Sequence, residues 1–214
     1  MGENMERKRA WGLAAFAALL LCIAVHATAA EVLDMQLHEK WASFIVTGSS
    51  WTTVRMATEE DETMLALDMY PDRTGRYGGS WELKLLEMLP PGDAADMADL
   101  FPLALSGQMR VDRKKTHDVT FHFALEENLL VIRIAGDYHQ AFLEEAKKGS
   151  MLRIKMGVDD PLYAGFSLDG FTAALNRCFR LVKESVRRDP PHSEYFDEEP
   201  PSRPEQKEHE AYFL

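Results

Sequence analysis

Cysteine is nearly absent from this chain of 214 residues, which has only Cys22 and Cys178. Cys22 lies in a leader-like N-terminal segment, so processing would leave Cys178 alone and exclude an internal disulfide. Basic charge is also in deficit, with 24 Lys and Arg against 35 Asp and Glu and a formal net charge of −11. Such a field repels a phosphate backbone, and the densest basic run, RVDRKK at residues 110–115, reads as a solvated hairpin tip. Nucleic acid is therefore excluded as a partner. No apolar run reaches the roughly 20 residues of a membrane-crossing helix; the longest, residues 11–25, has about 15. G-x-S-x-G is missing, and Gly75, Gly78 and Gly79 lack the strand-to-helix setting of a phosphate cradle. With no catalytic or cofactor motif, the sequence implies neither an enzyme nor a bound cofactor.

What is present begins with an export signal. Arg7, Lys8 and Arg9 precede the apolar run, and Ala27-Thr28-Ala29 supplies the small residues of a cleavage site, so processing is expected after Ala29 or Ala30. The alternative is an uncleaved anchor in the inner membrane. Leu19-Leu20-Leu21 before Cys22 argue against lipid attachment there. Residues 1–30 thus read as a cleavable signal, and the mature chain as periplasmic or secreted with no stable membrane span. The signal carries Glu3 and Glu6 against Arg7, Lys8 and Arg9, a net +1, so processing shifts the charge of −11 to about −12.

Residues 31–188, about 160 in number, suffice for one core. Short apolar runs with period-two alternation predict strands at 41–46, 52–57, 63–69, 81–88 and 103–111. A hairpin is expected at 118–124 and 129–135, with further strands at 151–156 and 162–167. Helical spacing predicts a helix over 138–148, closed by Gly149 as its left-handed residue, and another over 170–187, with Asp169 as its N-cap. A shorter helical turn is expected at 94–100. The fold class is mainly β (α+β), an antiparallel sandwich or meander with a helix between late strands and a C-terminal helix packed on the sheet. In that last helix Phe171, Ala174, Leu175, Cys178 and Leu181 share one face, which places the Cys178 thiol in the core; the alternative is an intermolecular disulfide.

Candidate chemistry is sparse. The densest set of metal-ligand types is His117, Asp118, His122, Asp137 and His139, but an odd separation sends His117 and His122 to opposite faces of a strand. Asp159-Asp160 before Pro161 reads as a turn. A ligand-binding or hydrolytic cleft, if one exists, is best placed near Trp81, Tyr138 and His139. Residues 189–214 are rich in Pro and Glu without apolar period and read as a disordered tail. Two H-x-x-Y-F copies in the tail place Tyr195, Phe196, Tyr212 and Phe213 as candidate docking aromatics.

Residues 148–154 (KGSMLRI) and 166–175 (FSLDGFTAAL) resemble exported bacterial proteins of the invasion-associated locus B type. The resemblance implies a signal-bearing β-sandwich ending in a lysine-glycine, strand and SLxGFxxAL-helix module. In that module Ser167 opens the helix, and Gly170 and Phe171 pack it onto the sheet; no chemistry is implied. The functional expectation is an exported, non-enzymatic binding protein of the bacterial envelope with an envelope protein as partner. The alternatives are a small-ligand binder or hydrolase with a cleft site, or a subunit of a larger envelope complex; the oligomeric state stays open.

Overall fold

The computed structural model describes residues 31–48, 51–70 and 80–188. The signal, the glycines of residues 75–79 and the aromatic tail lie outside them. Among the described residues are ten strands and three α-helices. The strands are β1 (Glu31–His38), β2 (Trp41–Thr47), β3 (Thr52–Glu60), β4 (Thr63–Met69), β5 (Trp81–Met88), β6 (Leu103–Val111), β7 (His117–Glu126), β8 (Leu129–Ala135), β9 (Met151–Met156) and β10 (Leu162–Ser167). The helices are α1 (Pro91–Met97), continued by a 3₁₀ turn at Ala98–Leu100, α2 (His139–Ala146) and α3 (Phe171–Arg188). All strand pairs are antiparallel in one sheet of order β1-β2-β3-β4-β5-β8-β7-β6-β9-β10. The fold is mainly β with α3 packed on β1, β2 and β3, as expected.

Alternation decides which side chains meet. Val54 and Met56 of β3, Leu65, Leu67 and Met69 of β4, and Leu83 and Leu85 of β5 point to one face. The same core takes Phe121 of β7, Met109 and Val111 of β6, Leu152 and Ile154 of β9, and Phe166 of β10. Strands from both ends of the sheet share this core because the sheet folds over on itself, bringing β10 against β3. The open ends are closed by helices: Tyr138, Phe142 and Ala146 at one, and Phe171, Ala174, Leu175, Cys178 and Leu181 along α3. Trp41 joins the layers. Its ring meets Phe171 edge-on at a centroid distance of 5.0 Å, and its indole N–H donates to the Ser167 carbonyl at 2.9 Å.

The alternation argument does not find β1. Its sequence EVLDMQLH is mostly exposed, and its register slips between Leu33 and Gln36. Asp34 sits in this bulge at φ 52°, so inward and outward residues change places within the strand. Arg177 of α3 holds the bulge: it donates to the Asp34 carbonyl at 2.7 Å, pairs with the Asp34 carboxylate at 2.8 Å, and donates to the Ser43 carbonyl at 2.9 Å.

Two local expectations differ from the structure. Gly149 is not the left-handed residue that ends α2, whose C-cap is Lys147 at φ −58°. Its smallness serves close packing instead. A Cβ there would run into the Val111 side chain and stand 3.1 Å from both the Asp112 carboxylate and the Glu145 carbonyl. The start of α3 is also built otherwise than from an Asp169 side-chain cap. Ser167 Oγ accepts the Asp169 N–H at 3.2 Å, the Asp169 carbonyl accepts the Lys40 N–H at 3.1 Å, and the Gly170 carbonyl accepts the first α3 bond, from Ala174, at 3.0 Å.

Candidate docking surface

The first half of the sheet buries its outer face as well as its inner one. A second cluster comprises Ala42, Phe44 and Val46 of β2, Ala57 of β3, Met64 and Ala66 of β4, Leu86 of β5 and Val131 of β8, none more than 5% exposed. Val32 and Leu129 pack beside it. Among the described residues, its apolar members all come from the strands themselves; none belongs to a helix or an opposing strand. At the β1 edge, Leu37, the register partner of Ala42, is 44% exposed.

The registers give this face a relief. Leu37, Ala42, Ala57 and Ala66 are successive cross-strand partners, and the row continues to Lys84 and Arg133. One pleat to one side stands Phe44; one pleat to the other stands the row Met64, Leu86 and Val131. Small side chains flanked by large ones make a trough about 13 Å between ridges, from the rise of a strand. A helix is about 10 Å across.

A buried charge network floors one side of the trough. Arg55 and Asp68 are register partners and form a two-pronged pair, Nε to Oδ1 and Nη2 to Oδ2, the latter at 2.8 Å. Lys84 Nζ donates to the same carboxylate at 3.1 Å and to the Tyr70 hydroxyl at 2.9 Å, and pairs with Glu82 at 2.9 Å. Burial by itself would push the Asp68 carboxyl up, but the charges and hydrogen bonds of Arg55 and Lys84 outweigh it and hold the group below its ordinary value. Lys84 is the mirror case: burial favours its neutral form, and Asp68 raises it above the usual lysine range. These pairs are charge-neutralising and internally satisfied, so they support the face without offering a reactive group.

The candidates for chemistry are dispersed by the fold. His117 is buried and meets Glu145 Oε2 at 3.1 Å, while His122 is exposed on the other face of β7. Among the described residues, no three His, Cys, Asp or Glu side chains converge as a metal site requires. Trp81, Tyr138 and His139 do come together. The His139 ring stacks on Tyr138 at 4.7 Å, and Trp81 meets His139 edge-on at the same distance. They fill one another's space, and the buried Tyr138 hydroxyl donates to the Ile134 carbonyl. A groove of about 410 Å³ lies on the outer side of β6 and β7, lined by Ser106, Gln108, Asp118, Thr120, Lys155 and Gly157. Two of its polar side chains satisfy each other, Gln108 donating to Asp118 at 2.9 Å. No described helix is long and apolar enough to cross a membrane.

Cys178 faces the core from α3, its thiol 3.7 Å from the Arg55 carbonyl oxygen. Burial pushes the thiol up to about 12, against a smaller opposing effect of Arg177. At pH 8 its thiolate fraction is then about 10⁻⁴, roughly a thousandth or less of an ordinary cysteine's. In a Cys22→Ser chain, Cys178 is expected to resist maleimide at pH 8 for hours and to label within minutes in denaturant. Rapid labelling of the folded chain, followed by mass spectrometry, would contradict the assignment of this thiol to the core.

Sequence reasoning missed the charge network because Arg55, Asp68 and Lys84 are 13 and 16 residues apart and meet only through register. One signal for the face was present. MLAL at residues 64–67 is apolar at every position, the pattern of a strand buried on both sides.

No protein-family model matches the chain, and no curated protein does. Among solved structures, the chain is similar to the crystal structure of invasion associated protein B from Bartonella henselae. The TM-score is 0.48, with 15% sequence identity, over 70% of this chain and 99% of that one.

Proposed function

We propose that the chain is an exported, non-enzymatic binding protein of the bacterial envelope, periplasmic or secreted, which docks another envelope protein on the outer face of β2 to β5 and β8. The observation that carries this reading is the second apolar cluster, whose described members all come from one sheet layer. Burial of these eight side chains is worth about 1.5–3 kcal/mol for each large one, and the exposed Leu37 at the rim of the row is the point from which a partner reaches the face. The charge network beneath is satisfied within the sheet, which suits recognition by shape and apolar contact rather than by reaction.

The reading is tested by photo-crosslinking in the native cell. A photoreactive residue at Leu37, on the exposed rim, is expected to yield a discrete adduct with an envelope protein. The same residue at Tyr163, which is 74% exposed on β10 in the other half of the sheet, is expected to yield none. Equal adducts from both positions, or none from Leu37, would overturn the proposal.

A further inference from the structure

The sheet ends in two edge strands, and only one of them is guarded. β1 carries Glu31 and Asp34, slips register at its bulge and is held there by Arg177. Charge and irregularity of this kind keep a strand edge from pairing with another chain. β10, with the sequence LYAGFS, has no charged residue, no proline and no register shift against β9. On it Leu162 and Tyr163 are 68% and 74% exposed.

The register fixes which backbone groups of β10 are free. The Leu168 N–H donates to the Ser150 carbonyl at 2.9 Å in a row that continues the β9–β10 register, so the even-numbered residues of β10 bond to β9. Pro161, Tyr163, Gly165 and Ser167 therefore turn their backbone groups away from β9. The Ser167 carbonyl is taken by the Trp41 indole, which closes the edge at that end. Among the described residues, nothing bonds the outward groups of Pro161, Tyr163 and Gly165. The free stretch thus runs from Pro161 to Gly165, and Tyr163 is its midpoint.

We infer that β10 pairs with β10 of a second copy of this chain, antiparallel about a two-fold axis at Tyr163. In this register the two Tyr163 residues exchange both backbone bonds, and each Gly165 N–H donates to the Pro161 carbonyl of the other copy. Only the Gly165 carbonyls stay with water, since Pro161 has no N–H to offer. On one face the Tyr163 rings lie side by side; on the other, Leu162 stands opposite Ala164 of the second copy, large against small. The occupant is a second copy because the stretch is its own complement and carries no charge. A chain of net −11 repels its copy over most of its surface, but none of that charge lies in the rows that meet here. In the row through the axis, the flanking like charges are Lys155 and its copy, three strand spacings or about 14 Å apart and beyond the screening length of physiological salt. The area of Leu162 and Tyr163, about 300 Å² per copy, is that of a weak and exchanging dimer.

Cysteine pairing reads the register. In a Cys22→Ser chain, where Cys178 is buried and unreactive, Leu162→Cys and Ala164→Cys variants are oxidised mildly, each alone and the two mixed. Positions opposed without mutual hydrogen bonds stand about 4.5 Å apart, within disulfide range, whereas each cysteine and its own copy are diagonal at about 7–8 Å and outside it. The mixture is expected to form a disulfide between position 162 of one chain and 164 of the other, in yield about tenfold above either variant alone. Adding Tyr163→Lys, at a position exposed enough to leave the fold intact, sets like charges opposite each other at the axis and is expected to remove that dimer. Equal yields from the mixture and the single variants, no mixed disulfide, or a dimer indifferent to Tyr163→Lys would each overturn the pairing. In the native cell a photoreactive residue at Tyr163 is expected to join two copies of this chain and no other envelope protein; an adduct with a different protein would assign the edge to another occupant and overturn the pairing as well. Leu37 lies on the other half of the sheet, so its crosslink and this pairing succeed or fail independently.

Discussion

Alanine in place of Gly170 is expected to destabilise the fold by on the order of 3 kcal/mol, read as a lowered urea midpoint with an unchanged slope. Two independent costs meet at this residue. Its φ of +91° lies in a region that side chains rarely adopt, at about 1–3 kcal/mol. A Cβ would also be driven into the His38 carbonyl, 2.6 Å from its carbon and closer still to its oxygen. Backbone cannot swing aside as a flexible side chain can. The collision would push the β1–β2 turn away from the start of α3 and strain the bond from Lys40 N–H to the Asp169 carbonyl. Phe171, Ala174, Leu175 and Cys178 lose their seating together, because one helix carries all four into the core. Gly92 is the control. It has no heavy atom within 4 Å of an added Cβ and lies in the first turn of α1, so Gly92→Ala should leave stability unchanged or raise it by up to about 1 kcal/mol. Equal effects at the two glycines would refute the assigned role of Gly170.

The contrast between Gly170 and Gly149 shows what a sequence conveys about such positions. Both stand beside a helix end in the chain; Gly149 reads as the left-handed residue that closes α2, and Gly170 as a packing residue that lets the start of α3 approach the sheet. The positive φ belongs to Gly170, which also makes the close approach; Gly149 is small for the sake of Val111, a residue 38 positions away whose proximity depends on β6 lying beside β9. Alternation, by contrast, is local, and it located β4, β5, β6, β8, β9 and β10 to the residue. It failed at β1, where the bulge at Asp34 breaks the period and one exposed edge removes the demand for apolar residues. The site follows the same rule. Period two tells which residues share a face of one strand, but the order of ten strands decides that Ala42, Ala57 and Ala66 form a single row and that Arg55 meets Asp68. The unbroken apolar run in β4 revealed that a second face was buried. What that face is made of required the registers.

Asp68→Asn is expected to cost about 3–5 kcal/mol at pH 7, the penalty for removing one member of a buried ion set and leaving the others without their counter-charge. Asp68 is 2% exposed and takes hydrogen bonds from Arg55 and Lys84 together; an amide returns only part of those bonds and none of the charge. The same argument fixes the pH dependence. Because the folded-state Asp68 sits below its ordinary value, the unfolded chain binds the proton more readily, and the stability it contributes is full above about pH 5. That contribution falls away as pH drops through about 4 and on through the folded-state value. The gap between the native chain and Asp68→Asn should therefore narrow steadily from pH 5 to pH 2. Lys84 acts in the opposite sense: its folded-state value is raised, so its contribution is full below about pH 10 and is lost only as pH climbs beyond that. Between about pH 5 and pH 9 the network's contribution is flat. Replacing Arg55, Asp68 and Lys84 at once by Met, Leu and Met should recover most of the lost stability, since the one carboxylate left behind, Glu82, is partly exposed and keeps Arg133 at 3.5 Å. It would also join the charged floor to the apolar trough and widen the docking face. Chemical denaturation across pH distinguishes these outcomes, and a gap that persists undiminished at pH 2 would show that Asp68 stabilises the sheet by something other than its charge.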